Sequence, residues 1–167
     1  MSWDRVRRRH QLVHAVLDDI AATGRPEVPS GLAGEVVAEF GGFAEFLCDV
    51  QRRWYRSFDA RLDALLEESP KDMRDAVVRT WHELAAAMPS ARFLLDEHDG
   101  HPALAELDEH HRRVLHAATG VDLDLVRSAR PAVRAPAAPW RWARPPSVAP
   151  RRPPYGPFRR MSRRTSW

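Results

Sequence analysis

His10 and His14 stand one helical turn apart, and Asp18 continues the same row. On a helix that spacing sets two imidazoles and a carboxylate along one face, the donor set a divalent metal ion takes. The competing reading is a helix surface on which the acid pairs with His14 and His10 lies partly buried. A second polar cluster, DEHDGHP at 96–102, brings His98 and His101 together with Asp96, Glu97 and Asp99. A third, ELDEHH at 106–111, adds His110, with His116 beyond it. His98, His101, His110, His10 and His14 are therefore the candidate metal ligands.

The spacings argue against assigning a metal to them. Helical di-metal sites use a Glu-x-x-His element on facing helices. Here Glu97 and Glu106 each have a histidine four residues on, His101 and His110, rather than three. His82-Glu83 is not followed by the second histidine of an HExxH motif. The expected state is a charged, solvated loop with one histidine at a helix C-terminus, and no cofactor is assigned. Nucleophilic catalysis has less support. Cys48 falls beside an apolar stripe, where a buried thiol is inert. No serine stands in a glycine elbow, and no glycine-rich loop follows a strand to cradle phosphates. The reading leans away from an enzyme.

The elements that would position these groups are helices. Residues 2–23 carry Trp3, Val6, His10, Val13, Leu17 and Ile20 at alternating spacings of three and four, with Leu12 and Val16 widening the face. Ser2 is the expected N-cap and Gly24 the stop. Arg7, Arg8 and Arg9 sit mostly off that face. GRPEVPSG at 24–31 reads as a loop, followed by a short helix, LAGEVVAEF, and a break at Gly41-Gly42. From Phe43 to about Glu68 runs the strongest signal, a stripe of Phe43, Phe46, Leu47, Val50, Trp54, Phe58, Leu62, Leu65 and Leu66. In SPKD, Ser69 is the expected N-cap of a helix whose stripe is Met73, Val77, Trp81, Leu84 and Met88. Pro89 should end it, and Ser90 should cap a short helix that stops at Gly100. Pro102 opens another, with Leu104, Leu107, His111, Val114 and Ala118 on one face, until Gly120. No window alternates as a half-buried strand does. The fold class is all-α, an irregular bundle of five or six helices in residues 1–124.

Charge divides the chain at the same point. Residues 1–124 hold all 23 acids and 15 of the 26 bases, a net of −8, whereas residues 125–167 hold eleven arginines and no acid. The overall +3 therefore hides an acidic body and a basic, proline-rich tail, expected to be disordered. A body of that sign repels nucleic acid over most of its surface. In the middle of the long helix, Gln51, Arg52 and Arg53 are poorly placed for a helix-turn-helix reader, whose base contacts sit at the start of the recognition helix.

The tail carries Trp140, Arg141, Trp142, Arg144, Arg151, Arg152, Arg159, Arg160, Arg163 and Arg164. Arginine with interleaved tryptophan suits nucleic acid or another polyanion, and the same groups suit peripheral contact with an anionic membrane. Pro136-x-x-Pro139-x-Arg141 and Pro154-x-x-Pro157-x-Arg159 match polyproline ligands. The tail is also what GC-rich codons yield in the absence of a fold, so a frame-changed extension fits it equally. No apolar run is long enough to span a membrane, and the single cysteine excludes an internal disulfide, so a cytoplasmic setting is expected. These features favour a non-enzymatic helical module for a protein partner or a homodimer, with the tail as an electrostatic arm. The second reading is nucleic-acid association through the tail, and the third a His/carboxylate metal-binding bundle.

Overall fold

The computed structural model describes residues 3–129. Among them are seven α-helices, one 3-10 turn and no strand. They are α1 (Trp3–Thr23), α2 (Ser30–Phe40), α3 (Phe43–Glu68), α4 (Met73–Ala87), α5 (Pro89–Glu97), the 3-10 turn (Pro102–Leu104), α6 (Ala105–Thr119) and α7 (Leu123–Ser128). The chain is thus the all-α irregular bundle its patterning implies. The count is seven because a short helix lies past Gly120.

The spine is α3, about 39 Å long at 1.5 Å per residue. It buries Phe46, Leu47, Val50, Trp54, Phe58 and Leu62 and packs against α2, α4, α5 and the 3-10 turn. Entry to it depends on Gly41 at φ +92° and Gly42 at φ +151°, backbone that a Cβ would strain. The Gly41 N–H closes α2 on the Val37 carbonyl. Trp81 of α4 meets Trp54 and Phe58 edge-on, each with ring centroids 5.3 Å apart. Such pairs are worth about 1 kcal/mol beyond their burial. Arg92, 4 % exposed, packs against both indoles, its guanidinium carbon 5.1 Å from each ring. Burial lowers its pKa to about 10, so it stays cationic at neutral pH, paired with Asp96 one turn along α5.

Several local readings change. Trp3 is 85 % and Val6 46 % exposed, so only the later part of the α1 stripe, Leu12, Val13, Val16 and Ile20, enters the core. The residues of α3 opposite the first turns are charged and offer nothing apolar to pack on. Ser69 ends α3 instead of starting α4. It adopts a left-handed φ of +49°, and its N–H reaches the Leu65 and Leu66 carbonyls. Asp72 is the cap of α4, accepting from the Asp75 N–H at 3.0 Å. Pro89 opens α5 at its first position, where its missing N–H costs nothing, and Ser90 lies buried inside that turn. In α6 the inward face is Asp108 and Leu115, continuing from Leu104 of the 3-10 turn, and Val114 is 43 % exposed. The α6 surface is thus rotated away from its apolar count, because a carboxylate points inward.

The last helix runs four residues past Asp124. Leu123 and Val126 are fully buried, and α7 packs on α4 and α6. Asp122 caps it, accepting from the Asp124 N–H at 2.8 Å. A chain ending at Asp124 loses both Val126 and Arg127. It is expected to be about 4 kcal/mol less stable to denaturant than a chain ending at Ala129. Equal unfolding midpoints for the two would show that α7 does not belong to the core.

Candidate binding surface

Gln51 and Tyr55 stand one turn apart on the buried side of α3, facing α6. The Gln51 Nε2 donates to the Leu104 carbonyl at 3.1 Å and to Asp108 Oδ1 at 2.8 Å. Two acceptors on that side fix which way the amide points. The Tyr55 hydroxyl donates to the same Asp108 Oδ1 at 2.6 Å, and Arg127 Nη2 of α7 donates to it at 2.9 Å. Arg127 also reaches Asp99 Oδ1 at 3.4 Å. Burial works against the Arg127 charge, but Tyr55, Asp108 and Asp99 outweigh it and raise its pKa. Burial, with the bond to Asp108, pushes the Tyr55 phenol upward against the pull of Arg127. A phenol held protonated and a carboxylate oxygen taken by three donors leave no reactive group, so the cluster clamps α3, α6 and α7.

Beside the clamp, His111 stacks face to face on Tyr55, with centroids 3.8 Å apart and planes within 8°. Burial, reinforced by His110, lowers its pKa to about 4 against the pull of Asp108. Its 3.5 Å approach to Asp59 is therefore a polar contact at neutral pH and not an ion pair. Burial and the neighbouring Asp63 raise the Asp59 carboxyl.

The candidate metal ligands fall into three separate places. The Nδ1–H of His98 donates to the Leu94 carbonyl at 2.9 Å and closes α5. His101 Nδ1 accepts from the Ala103 N–H at 3.2 Å and opens the 3-10 turn. Each has one ring nitrogen committed to backbone, and both pack on Phe43, at centroid distances of 5.0 and 6.4 Å. His110 lies on an exposed cleft between α3 and α6 with Glu106, Arg52 and Arg113. Cys48 lines that cleft too. Its thiol donates to the Ala103 carbonyl at 3.1 Å, and burial raises its pKa, which quenches its nucleophilicity. His10 and His14 meet edge-on at 4.4 Å, but Arg53 donates to His10 Nδ1 at 2.8 Å. A guanidinium there repels a metal cation, and burial, His14 and Arg53 together lower the His10 pKa. Among the described residues, no three His, Cys, Asp or Glu side chains gather closely enough to hold a metal ion.

The same Arg53–His10 contact opens onto a groove of about 410 Å³ between the start of α1 and the middle of α3. From α1 come Trp3, Val6, Arg7 and His10. From α3 come Asp49, Arg52, Arg53 and Arg56, at the i, i+3, i+4, i+7 spacing of one helical face. Arg53 is neutralised by Asp49 at 2.7 Å. Arg5 and Arg8 turn the other way, to Glu35 and Glu39 of α2. Arg7, Arg52 and Arg56 form no ion pair among the described residues. Three guanidinium groups without an ion pair among the described residues thus line one groove with an exposed indole. Arg52 also lines the α3/α6 cleft, where Arg113 is accompanied by Glu106. Both halves of this groove are visible in sequence, as RVRRRH and QRRWYR, but nothing in either predicts that they meet.

The tail residues Trp140, Arg141, Trp142, Arg144, Arg151, Arg152, Arg159, Arg160, Arg163 and Arg164 lie outside the described residues, as does Ser2. No helix among the described residues is long and apolar enough to cross a membrane. Comparison of the chain with protein-family models, with curated proteins and with solved structures finds no match.

Two outcomes check the clamp. Asp108→Asn removes the charge that Arg127 faces and is expected to cost about 3 kcal/mol in denaturant unfolding, and Tyr55→Phe about 1 kcal/mol. No loss in Asp108→Asn would mean the carboxylate is solvated. His111 titrates near 4 in the folded chain and near 6.5 when unfolded. The unfolded chain therefore binds more protons between those values, and stability falls as pH drops from about 6.5 to about 4. His111→Phe keeps a stacked ring and is expected to flatten that part of the curve. Identical slopes for the two chains would contradict a buried, neutral imidazole.

Proposed function

We propose that this chain is a non-enzymatic binding module that engages a partner protein through the α1/α3 groove. One observation carries the reading: Arg7, Arg52 and Arg56 line a single groove with no ion pair among the described residues, and Trp3 stands 85 % exposed at its edge. Tryptophan and arginine are the residues most enriched where protein interfaces hold their binding energy. Placing them together on an otherwise acidic body leaves solvated charge and apolar surface that a partner can cover. The groups with catalytic potential are committed elsewhere, Asp108 and Tyr55 to the clamp and His98 and His101 to helix ends. A reducing, cytoplasmic setting suits the single thiol. Within this reading the basic tail acts as an electrostatic arm that raises the rate of encounter with an anionic partner. The second reading, nucleic-acid association through the tail, rests on the ten arginines and interleaved tryptophans of residues 130–167.

Capture from lysate with the full chain separates the two. The full chain and its Arg52→Glu/Arg56→Glu variant, each with and without nuclease, are compared by mass spectrometry. The expected result is a nuclease-resistant protein retained by the parent chain and lost from the variant. Retention that survives the charge reversal but disappears with nuclease, or in a chain ending at Ala129, would transfer the function to the tail.

A further inference from the structure

The groove also constrains what can occupy it. We infer that it takes a short acidic segment of another protein, with carboxylates for Arg7, Arg52 and Arg56 and an apolar side chain for Trp3 and Val6. This rests on the binding-module reading and narrows it to one class of partner.

Charge excludes the nearer occupants. The chain's own tail past α7, residues 130–167, carries ten arginines and no acidic side chain, so it is repelled by the groove. A second copy packed symmetrically on this face would bring two Arg5–Arg9 runs together. A nucleic acid matches the three guanidinium groups, but the basic strip is short. From Trp3 to His10 the helix rises only about 12 Å. Beyond the strip Glu35 and Glu39 of α2 are already engaged by Arg8 and Arg5, so no further unpaired arginine extends the strip along α2, and the body as a whole carries a net −8. A phosphate backbone running past the groove meets a body that is acidic overall, whereas a peptide of about two helical turns is no longer than the strip. Val6 points the same way. An aliphatic side chain, 46 % exposed beside the indole, gains nothing from phosphate but buries readily under a leucine or phenylalanine of a peptide. The four positions of α3 span two turns of one face, so carboxylates one helical turn apart on a bound helix fall opposite Arg52 and Arg56.

The test uses the full chain, so the tail's charge is constant throughout. The probes are a labelled amphipathic peptide with glutamates on one face and leucine and phenylalanine on the other, a scrambled peptide of the same composition, and an oligo(dT) strand. The amphipathic peptide is expected to bind at least fivefold more tightly than its scramble. Arg52→Glu/Arg56→Glu should weaken it tenfold or more, and Trp3→Ala about fivefold, with oligo(dT) binding little changed by either. Arg52→Gln/Arg56→Gln, milder for folding, should give a smaller loss in the same direction. Equal binding of the two peptides, or insensitivity to both arginine variants, overturns the inference. So does loss of oligo(dT) binding in those variants without loss of the peptide. If the charge reversal still abolishes the nuclease-resistant partner while the peptide shows no preference, the module reading stands and only the acidic occupant fails.

Discussion

A single carboxylate holds the C-terminal half of this protein in place. Asp108 is only 9 % exposed and draws its hydrogen bonds from α3 and α7 at once. A buried carboxylate without partners would cost several kcal/mol, so the position of α6 is tied to Gln51 and Tyr55, and that of α7 to Arg127. The stacked pair Tyr55–His111 and the Arg92 guanidinium packed against Trp54 and Trp81 extend the same logic. In each case a polar group sits within an aromatic or charged partnership that makes its burial tolerable. Breaking one member leaves the others uncompensated, which makes the network a source of specificity as much as of stability.

That clamp has a consequence for the opposite surface. With the inner side of α3 committed to the core and to Asp108, its outer side at positions 49, 52, 53 and 56 faces the start of α1. α1 is anchored by Leu12, Val13, Val16 and Ile20, and its first turns project beyond that anchor. The ion pairs of Arg5 and Arg8 with Glu35 and Glu39 fix those turns against α2. The groove therefore lies between two elements whose placement is set elsewhere, and its arginines need not contribute to the fold. Among the described residues Arg7, Arg52 and Arg56 hold no ion pair that a partner would have to break, which leaves the surface available for binding.

Much of the architecture is legible in the residues. The stripe from Phe43 to Leu62, bounded by Gly41-Gly42 and Ser69-Pro70, marks α3 to its last residue, and Pro89, Pro102 and Gly120 punctuate the remainder of the bundle. Apolar periodicity fails where polar groups turn inward. Counting Leu107, Val114 and Ala118 points α6 the wrong way, because Asp108 is acceptable in the interior only through partners 19 to 57 residues away in sequence. It fails again at Trp3 and Val6, which continue a stripe that has no apolar surface opposite. α7 is masked by the change of composition around it, since two buried residues, Leu123 and Val126, are too few to register as a pattern. The histidine clusters are conspicuous by type, yet backbone bonds and a neighbouring guanidinium account for three of the five candidate ligands, His98, His101 and His10. The groove depends on the juxtaposition of α1 and α3, which no local spacing encodes.

Hydrogen exchange on the full chain, alone and with its captured partner, tests the central claim most directly. Backbone amides report local opening segment by segment, so the method reads where the partner sits without altering any side chain. Binding through the α1/α3 groove predicts new protection at residues 3–10 and 49–56, with the rest of the bundle unchanged. Protection confined to residues 130–167 would contradict it and make the helical body a carrier for the tail.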